Sequence, residues 1–305
     1  MLQFLARRLG YAVIVLWGVS TITFVLLHLT GDPTLALVPL NATPQAIATI
    51  RQAWGFDQPL LVQYVRFLAA VAQGSFGTST RHRRPAMDLI VERMPATLEL
   101  AFTSMLVAVL AAVPAGIVAA VRRNTPLETV TMSGALLGLS IPTFWLGIML
   151  ILLFGVALRW LPVSGRGTPA HLVLPAVATG MFVMAQIARL VRSTVLEQLK
   201  QDYVRTARAK GLIERVVTYK HVLRNAAIPI VTLIGLQFGE LLGGAVIIEW
   251  VFAWPGVGRF ALQAVLNRDF AVVQATVCVV ALGFLLINLL VDIIYAQLDP
   301  KIRFA

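Results

Sequence analysis

The whole chain holds one cysteine, Cys278, inside an apolar stretch, so neither an internal disulfide nor a cysteine metal site can form. Charge is scarce as well: Asp, Glu, Lys and Arg make up 13% of the 305 residues, against roughly a quarter in ordinary globular proteins. No Gly-x-x-x-x-Gly-Lys-[Ser/Thr] phosphate loop occurs, so this chain does not supply ATP hydrolysis. A His-Glu-x-x-His zinc helix, a Gly-x-Ser-x-Gly elbow and a spacing-matched pair of aspartates within the apolar stretches are also missing. The four histidines, His28, His82, His171 and His221, are scattered in loops or near the ends of apolar runs. Together these absences remove the familiar intramembrane enzyme classes and leave no catalytic or metal-ligating candidate. No internal repeat or low-complexity tract is evident.

What is abundant is apolar length. Hydrophobic residues make up 58% of the chain, and a membrane-crossing helix needs about 20 of them in a row. Charge-free windows run over 9–31, 100–121, 129–158, 167–188 and 271–291, and a sixth, 226–248, is interrupted only by Glu240. The sequence therefore predicts an all-α membrane protein with six transmembrane helices, the later five covering about 100–121, 133–158, 170–190, 228–249 and 271–296. Arg7 and Arg8 ahead of the first window resemble the start of a secretory signal, but the run is longer than a signal core. It also ends at Gly31-Asp32-Pro33 without a small-x-small cleavage site, so it reads as a retained span.

Lys and Arg flanking short loops set orientation. With the N-terminus inside, the cytoplasmic segments hold Arg7 and Arg8, Arg122 and Arg123, nine basic residues between Arg189 and Arg224, and Lys301 with Arg303. The short outer loops hold only Arg159, Arg166, Arg259 and Arg268. Both termini are predicted cytoplasmic in a multi-pass membrane protein. The long segment after the first span is placed outside despite Arg81, Arg83 and Arg84, because loops of that length escape the rule. This bias, together with anionic lipid headgroups as partner, accounts for the net charge of +11 and makes nucleic acid an unsuitable partner.

The chain divides into a first span with an extracytoplasmic helical segment, residues 1–93, and a five-span block, 94–297, followed by a cytoplasmic tail, 298–305. In the outer segment 43–54 has a capping signal and helical periodicity, and 60–72 reads as a second amphipathic helix. A third piece, 85–94, carries Met87, Ile90, Val91 and Met94 on one side and is expected at the membrane surface. The group is read as a packed helical cap over the outer mouth. Pro114, Pro142 and Pro175 fall inside spans, where they free backbone carbonyls that need a neighbour or a wet cavity.

The strongest local signal lies in the cytoplasmic loop 189–228. Asp202 is the expected N-cap of a short helix, Gly211 its left-handed terminator, and a second helix over 214–224 leads to Pro229 at the start of the next span. The small Ala207 and Ala209 would admit a partner's backbone, with Arg205, Arg208 and Lys210 supplying charge around them. On the residues alone, an ordinary solvated basic loop is an equal reading.

The run Asp202-Tyr203-Val204-Arg205-Thr206-Ala207-Arg208-Ala209-Lys210-Gly211 resembles the docking loop of ATP-binding-cassette importer permeases. The resemblance is specifically to the dipeptide/oligopeptide/nickel permease family. The general importer pattern opens with Glu-Ala-Ala where this chain has Arg205-Thr206-Ala207, and its proline comes sooner than Pro229 does. The peptide-permease branch shares both departures. Further matches to the family's B-type subunit are Phe4-Leu5-Ala6-Arg7-Arg8-Leu9, Gly55-Phe56-Asp57-Gln58-Pro59-Leu60, Gly74-Ser75-Phe76-Gly77, Arg93-Met94-Pro95-Ala96-Thr97 and Glu249 through Gly258, then Arg268-Asp269-Phe270.

The resemblance implies the type I importer transmembrane fold and a heteromeric transporter. Its partners would be a C-type permease subunit, one or two ATP-binding subunits that bind ATP and Mg, and an extracytoplasmic substrate-binding protein. The cargo it implies is a dipeptide or oligopeptide, with nickel, haem or another small solute as the alternative. Residues 202–211 would couple the ATPase to the pore. Pathway candidates come instead from the polar groups within spans: Glu240 with Gln237 one turn earlier, then Gln186 and Asn288. Each is equally compatible with a structural hydrogen bond between helices. A proton-coupled carrier using Glu240 remains as a competing reading, but it would have no use for a docking helix.

Overall fold

A computed structural model of the chain describes residues 2–29, 34 and 43–298, and among these every regular element is helical. The chain partitions into two compact units. One holds 1–97 and 255–285, the other 98–254 and 286–305.

In the first unit, α1 (Leu2–Leu29) carries an apolar stretch, Gly10–Leu26. Helix α2 (Pro44–Trp54) begins where the Thr43 hydroxyl accepts the Ala46 amide at 3.3 Å and ends at Gly55, whose φ of 71° few other residues adopt. Helix α3 (Leu60–Ala72) packs against α1. A turn closed by an antiparallel bridge between Thr78 and Pro85 then feeds α4 (Ala86–Val121). The expected separate surface helix over 85–94 is instead the first turns of α4: Leu89 and Ile90 are fully buried there, which a helix lying on a membrane would not do. They pack with Val257, Phe260 and Ala264 of α12 (Val257–Leu266) and with Val272 and Ala275 at the start of α13 (Phe270–Leu298). The Arg93 guanidinium lies 3.8 Å from the Phe260 ring centroid, within cation–π range. Ser79 donates to the buried Asp269 at 2.5 Å, fixing the turn ahead of α4 to the α12–α13 connection.

The second unit is a bundle around α7 (Ala170–Gln198), which contacts α5 (Pro126–Ser140), α6 (Thr143–Leu150), α10 (Leu223–Gly244) and α11 (Val246–Val251). The single span expected over 133–158 is broken: α5 and α6, the latter continued by a π-helical stretch Ile151–Ala157, meet at 102°. Pro142 is the cause. Its ring bars Ile141 from helical geometry, and Ile141 sits extended at φ −84°, ψ 122°. Close approach between α4 and α7 depends on missing side chains. A Cβ on Gly180 would lie 2.7 Å from the Ser104 carbonyl oxygen, and one on Gly116 would lie 2.7 Å from that of Ala188.

Among the described residues, four helices are individually long and apolar enough to cross a membrane, and the bent α5–α6 pair, taken as one span, makes a fifth. With Gly10–Leu26 of α1 they correspond to the six apolar windows of the sequence. Helix α7 runs beyond its window, to Gln198, so the basic segment starts on a helix. At its other end a short helix, α9 (Glu214–Val216), continues through a π-helical stretch Val217–Val222 into α10 without a break. Pro229 therefore lies inside that helix rather than opening it.

Candidate functional site

Helix α8 (Asp202–Ala209) joins α7 to α9. Gln201, not Asp202, is the N-cap, extended at φ −73°, ψ 150°. The Asp202 carboxylate belongs to the first turn, where the helix dipole favours it, and pairs with Arg205 at 3.5 Å. At the other end the expected glycine termination is present in full. The Gly211 amide donates to the Arg208 carbonyl at 2.9 Å, the Leu212 amide donates to the Ala207 carbonyl at 3.3 Å, and Gly211 has φ 78°. This double bond pattern closes the helix only if the residue between tolerates the left-handed region.

One face of α8 is internal. Val204 is fully buried and Ala207 nearly so, in the same apolar cluster as Val217, Val222, Val191 and Val195. Ala207 is therefore small because it seats α8 on its own base, which corrects the expectation that it faces a partner. Two side-chain clamps reinforce the seat. The Tyr203 hydroxyl donates to the Gln198 amide oxygen at 2.8 Å, tying α8 to the end of α7. Arg208 donates through Nε and an Nη to the two Glu214 carboxylate oxygens at 2.6 and 3.2 Å, tying it to α9. That fork raises the Arg208 pKa above its ordinary value, first through the hydrogen bond. The pair stays exposed, so it positions the Arg208 side chain without burying its charge. Asp202, Arg205, Thr206, Ala209 and Lys210 form the exposed side.

A cleft of about 950 Å³ opens between α5 and α7, with Leu233 of α10 at its edge. Glu128 and Arg192 face each other across it as an ion pair, with Arg192 Nε 2.7 Å from Glu128 Oε1. Glu128 Oε2 also accepts the Asn124 amide at 2.5 Å, and the Thr125 hydroxyl accepts the Glu128 amide at 3.5 Å. The pair was legible only as a helix start, Thr125-Pro126-Leu127-Glu128, and its partner across 64 residues was not. Arg189 also lines the cleft and is exposed.

The four polar groups expected along the pathway separate into a pair and two single residues. Gln186 lines the cleft, and its amide oxygen accepts from buried Gln237 at 2.9 Å, so the two join α7 to α10. Glu240 and Asn288 are not in the cleft lining. Glu240 is exposed on α10 and Asn288 half-buried on α13.

Residues 112–304 match the family described as binding-protein-dependent transport system inner membrane component, and residues 1–101 match the N-terminal region of the membrane component of such systems. The glutathione transport system permease protein GsiC of Salmonella paratyphi A is 45% identical over 305 residues, covering 100% of both chains. The dipeptide transport system permease protein DppB of Alkalihalophilus pseudofirmus is 40% identical over 333 residues, again covering 100% of both. Among solved structures, an inward-facing form of the MetNI methionine ABC transporter superposes with TM-score 0.61 at 22% identity, covering 70% of this chain and 97% of that one. At that identity the likeness concerns fold, and it is the type I importer transmembrane fold.

Proposed function

We propose a function from one established premise: this chain belongs to the family of binding-protein-dependent transport system inner membrane components. It is a permease subunit, an integral membrane protein and not an enzyme. On our reading it carries dipeptides or other short peptides across the plasma membrane, forming half of the pathway beside a C-type permease subunit. One or two ATP-binding subunits bind ATP and Mg and supply the energy, and an extracytoplasmic binding protein delivers the cargo. Identity along the full length to a glutathione permease and a dipeptide permease supports the peptide assignment. The basic-residue bias supports cytoplasmic termini and a cytoplasmic α8.

The observation that carries the mechanism is the double clamping of α8. A helix held only by its termini would flex under load. This one is seated by Val204 and Ala207 and fastened by Tyr203–Gln198 to α7 and by Arg208–Glu214 to the continuous α9–α10 helix. A push on the exposed side, Asp202 to Gly211, is delivered to two spans at once. Those spans are joined again by Gln186–Gln237, and α7 is also a wall of the cleft. Closure of the ATPase subunits would then move the cleft walls without melting the loop. Glu240, exposed four residues before the end of α10, is assigned to the pathway, where it meets polar groups of the peptide, since a carboxylate facing lipid is costly.

The test is uptake of labelled dipeptides, tripeptides and glutathione into proteoliposomes holding the full transporter and its binding protein. ATP-dependent accumulation of a peptide supports the assignment. Accumulation driven by a proton gradient without ATP refutes it, as does ATP-driven transport of nickel or haem with no peptide uptake.

A further inference from the structure

Helix α3 has no buried residue. Its exposed side nevertheless carries Leu61 (73% exposed), Val62 and Val65 (57%), and Arg66 is the one charged residue among its thirteen. The contacts with α1 fix the depth at which that side sits. The Gln63 amide oxygen meets the His28 ring at 3.2 Å, one residue from the end of α1. The Tyr64 and Thr21 hydroxyls bond at 2.7 Å, seven residues farther down. Between them the Phe67 ring stacks on Phe24 with centroids 5.5 Å apart. At about 1.5 Å rise per residue, Thr21 lies roughly 12 Å and Phe24 about 7 Å below the end of α1.

These contacts also give the roll of the helix. Successive residues turn by about 100°, so passing from Gln63 to Tyr64 turns from the end of α1 toward its interior. Continuing in that direction brings round Leu61, Val65 and Ala72. Arg66 falls back beside Gln63. The polar edge thus faces the end of α1, and the bare apolar side faces the depth at which α1 itself is apolar, Gly10–Leu26.

We propose that α3 is an interfacial helix seated in the lipid at the end of α1, with Leu61 and Val65 in the acyl region and Arg66 at the headgroups. An apolar face sunk roughly 5–10 Å is the geometry of a helix lying in that interface. The partner of this surface is the bilayer, which covers Leu61 and Val65 continuously with the exposed Ile22, Val25 and Leu26 of α1. The segment is therefore anchored beside the first span rather than spread as a cap over the mouth. The proposal rests on α1 being a span; the proposed orientation assigns it to the outer leaflet.

The experiment uses the full transporter in liposomes, with Cys278→Ser as background and single spin labels at Leu61→Cys, Val65→Cys, Val25→Cys on α1 and Gln52→Cys on α2. Collision with oxygen, concentrated in lipid, is compared with collision with a water-soluble nickel chelate. Labels at 61 and 65 are expected to match Val25→Cys, with an oxygen-to-nickel ratio several-fold above that at Gln52→Cys. Nickel accessibility at 61 and 65 overturns the proposal in favour of a solvated segment. Shielding from both reagents overturns it in favour of a protein partner. A water-exposed label at Val25→Cys would refute the span itself, an outcome distinct from either.

Discussion

Gly211 gives the sharpest test of the docking element. Its φ of 78° lies in the region where an L-residue costs about 1–2 kcal/mol, more for a β-branched side chain. No atom lies within 4 Å of a Cβ built at this position, so the cost in the isolated chain is that of the backbone alone. A loss of about 1–2 kcal/mol changes the ratio of closed to opened α8 turn about 5- to 30-fold. Three substitutions separate backbone from bulk. Asn tolerates the left-handed region, Ala does not, and Val tolerates it least. If conformation governs, ATP-coupled uptake falls in the order Gly211→Asn, Gly211→Ala, Gly211→Val, with Val abolishing it while membrane insertion is retained. If contact with an ATPase groove governs, the larger Asn is worse than Ala. The assay is peptide uptake together with binding-protein-stimulated ATP hydrolysis in proteoliposomes. Wild-type coupling in Gly211→Val, or Asn falling below Ala, refutes the reasoning.

Ala207→Glu places a carboxylate among Val204, Val217 and Val222; coupling should be lost, and proteolysis between Gln198 and Lys210 should accelerate relative to wild type. Disabling either clamp, by Tyr203→Phe or Arg208→Met, should lower transport per ATP hydrolysed more than ATP hydrolysis itself, measured as their ratio; an unchanged ratio counts against the lever. Gln186→Leu leaves the buried Gln237 amide without the partner it has here, at a cost of about 1 kcal/mol; the thermal midpoint of the purified complex should drop, and the double change Gln186→Leu with Gln237→Leu should recover part of it. Glu240→Gln should alter uptake kinetics differently for different peptides; identical kinetics across a peptide panel would remove it from the pathway.

The loop helix was legible in the sequence because Gly211 supplies a left-handed terminator after a short helical run. Its buried face was not legible. Ala207 is equally small whether it faces a partner or its own base, and only the packing of Val204 against residues far along the chain decides between them. The same holds for Arg208, whose ion pair with Glu214 on the next helix is set by how the chain turns at Gly211.

Among what the sequence determined by itself are the apolar windows, the helical class, the lack of ATP-hydrolysing machinery and the family, since these depend on composition and on order along the chain. Tertiary structure decided the rest. It broke the third window at Pro142, ran α7 and the continuous α9–α10 helix into the basic segment, matched Glu128 to Arg192 and joined Gln186 to Gln237. Each of these depends on which distant residues come to share a few ångströms, and no local periodicity encodes that.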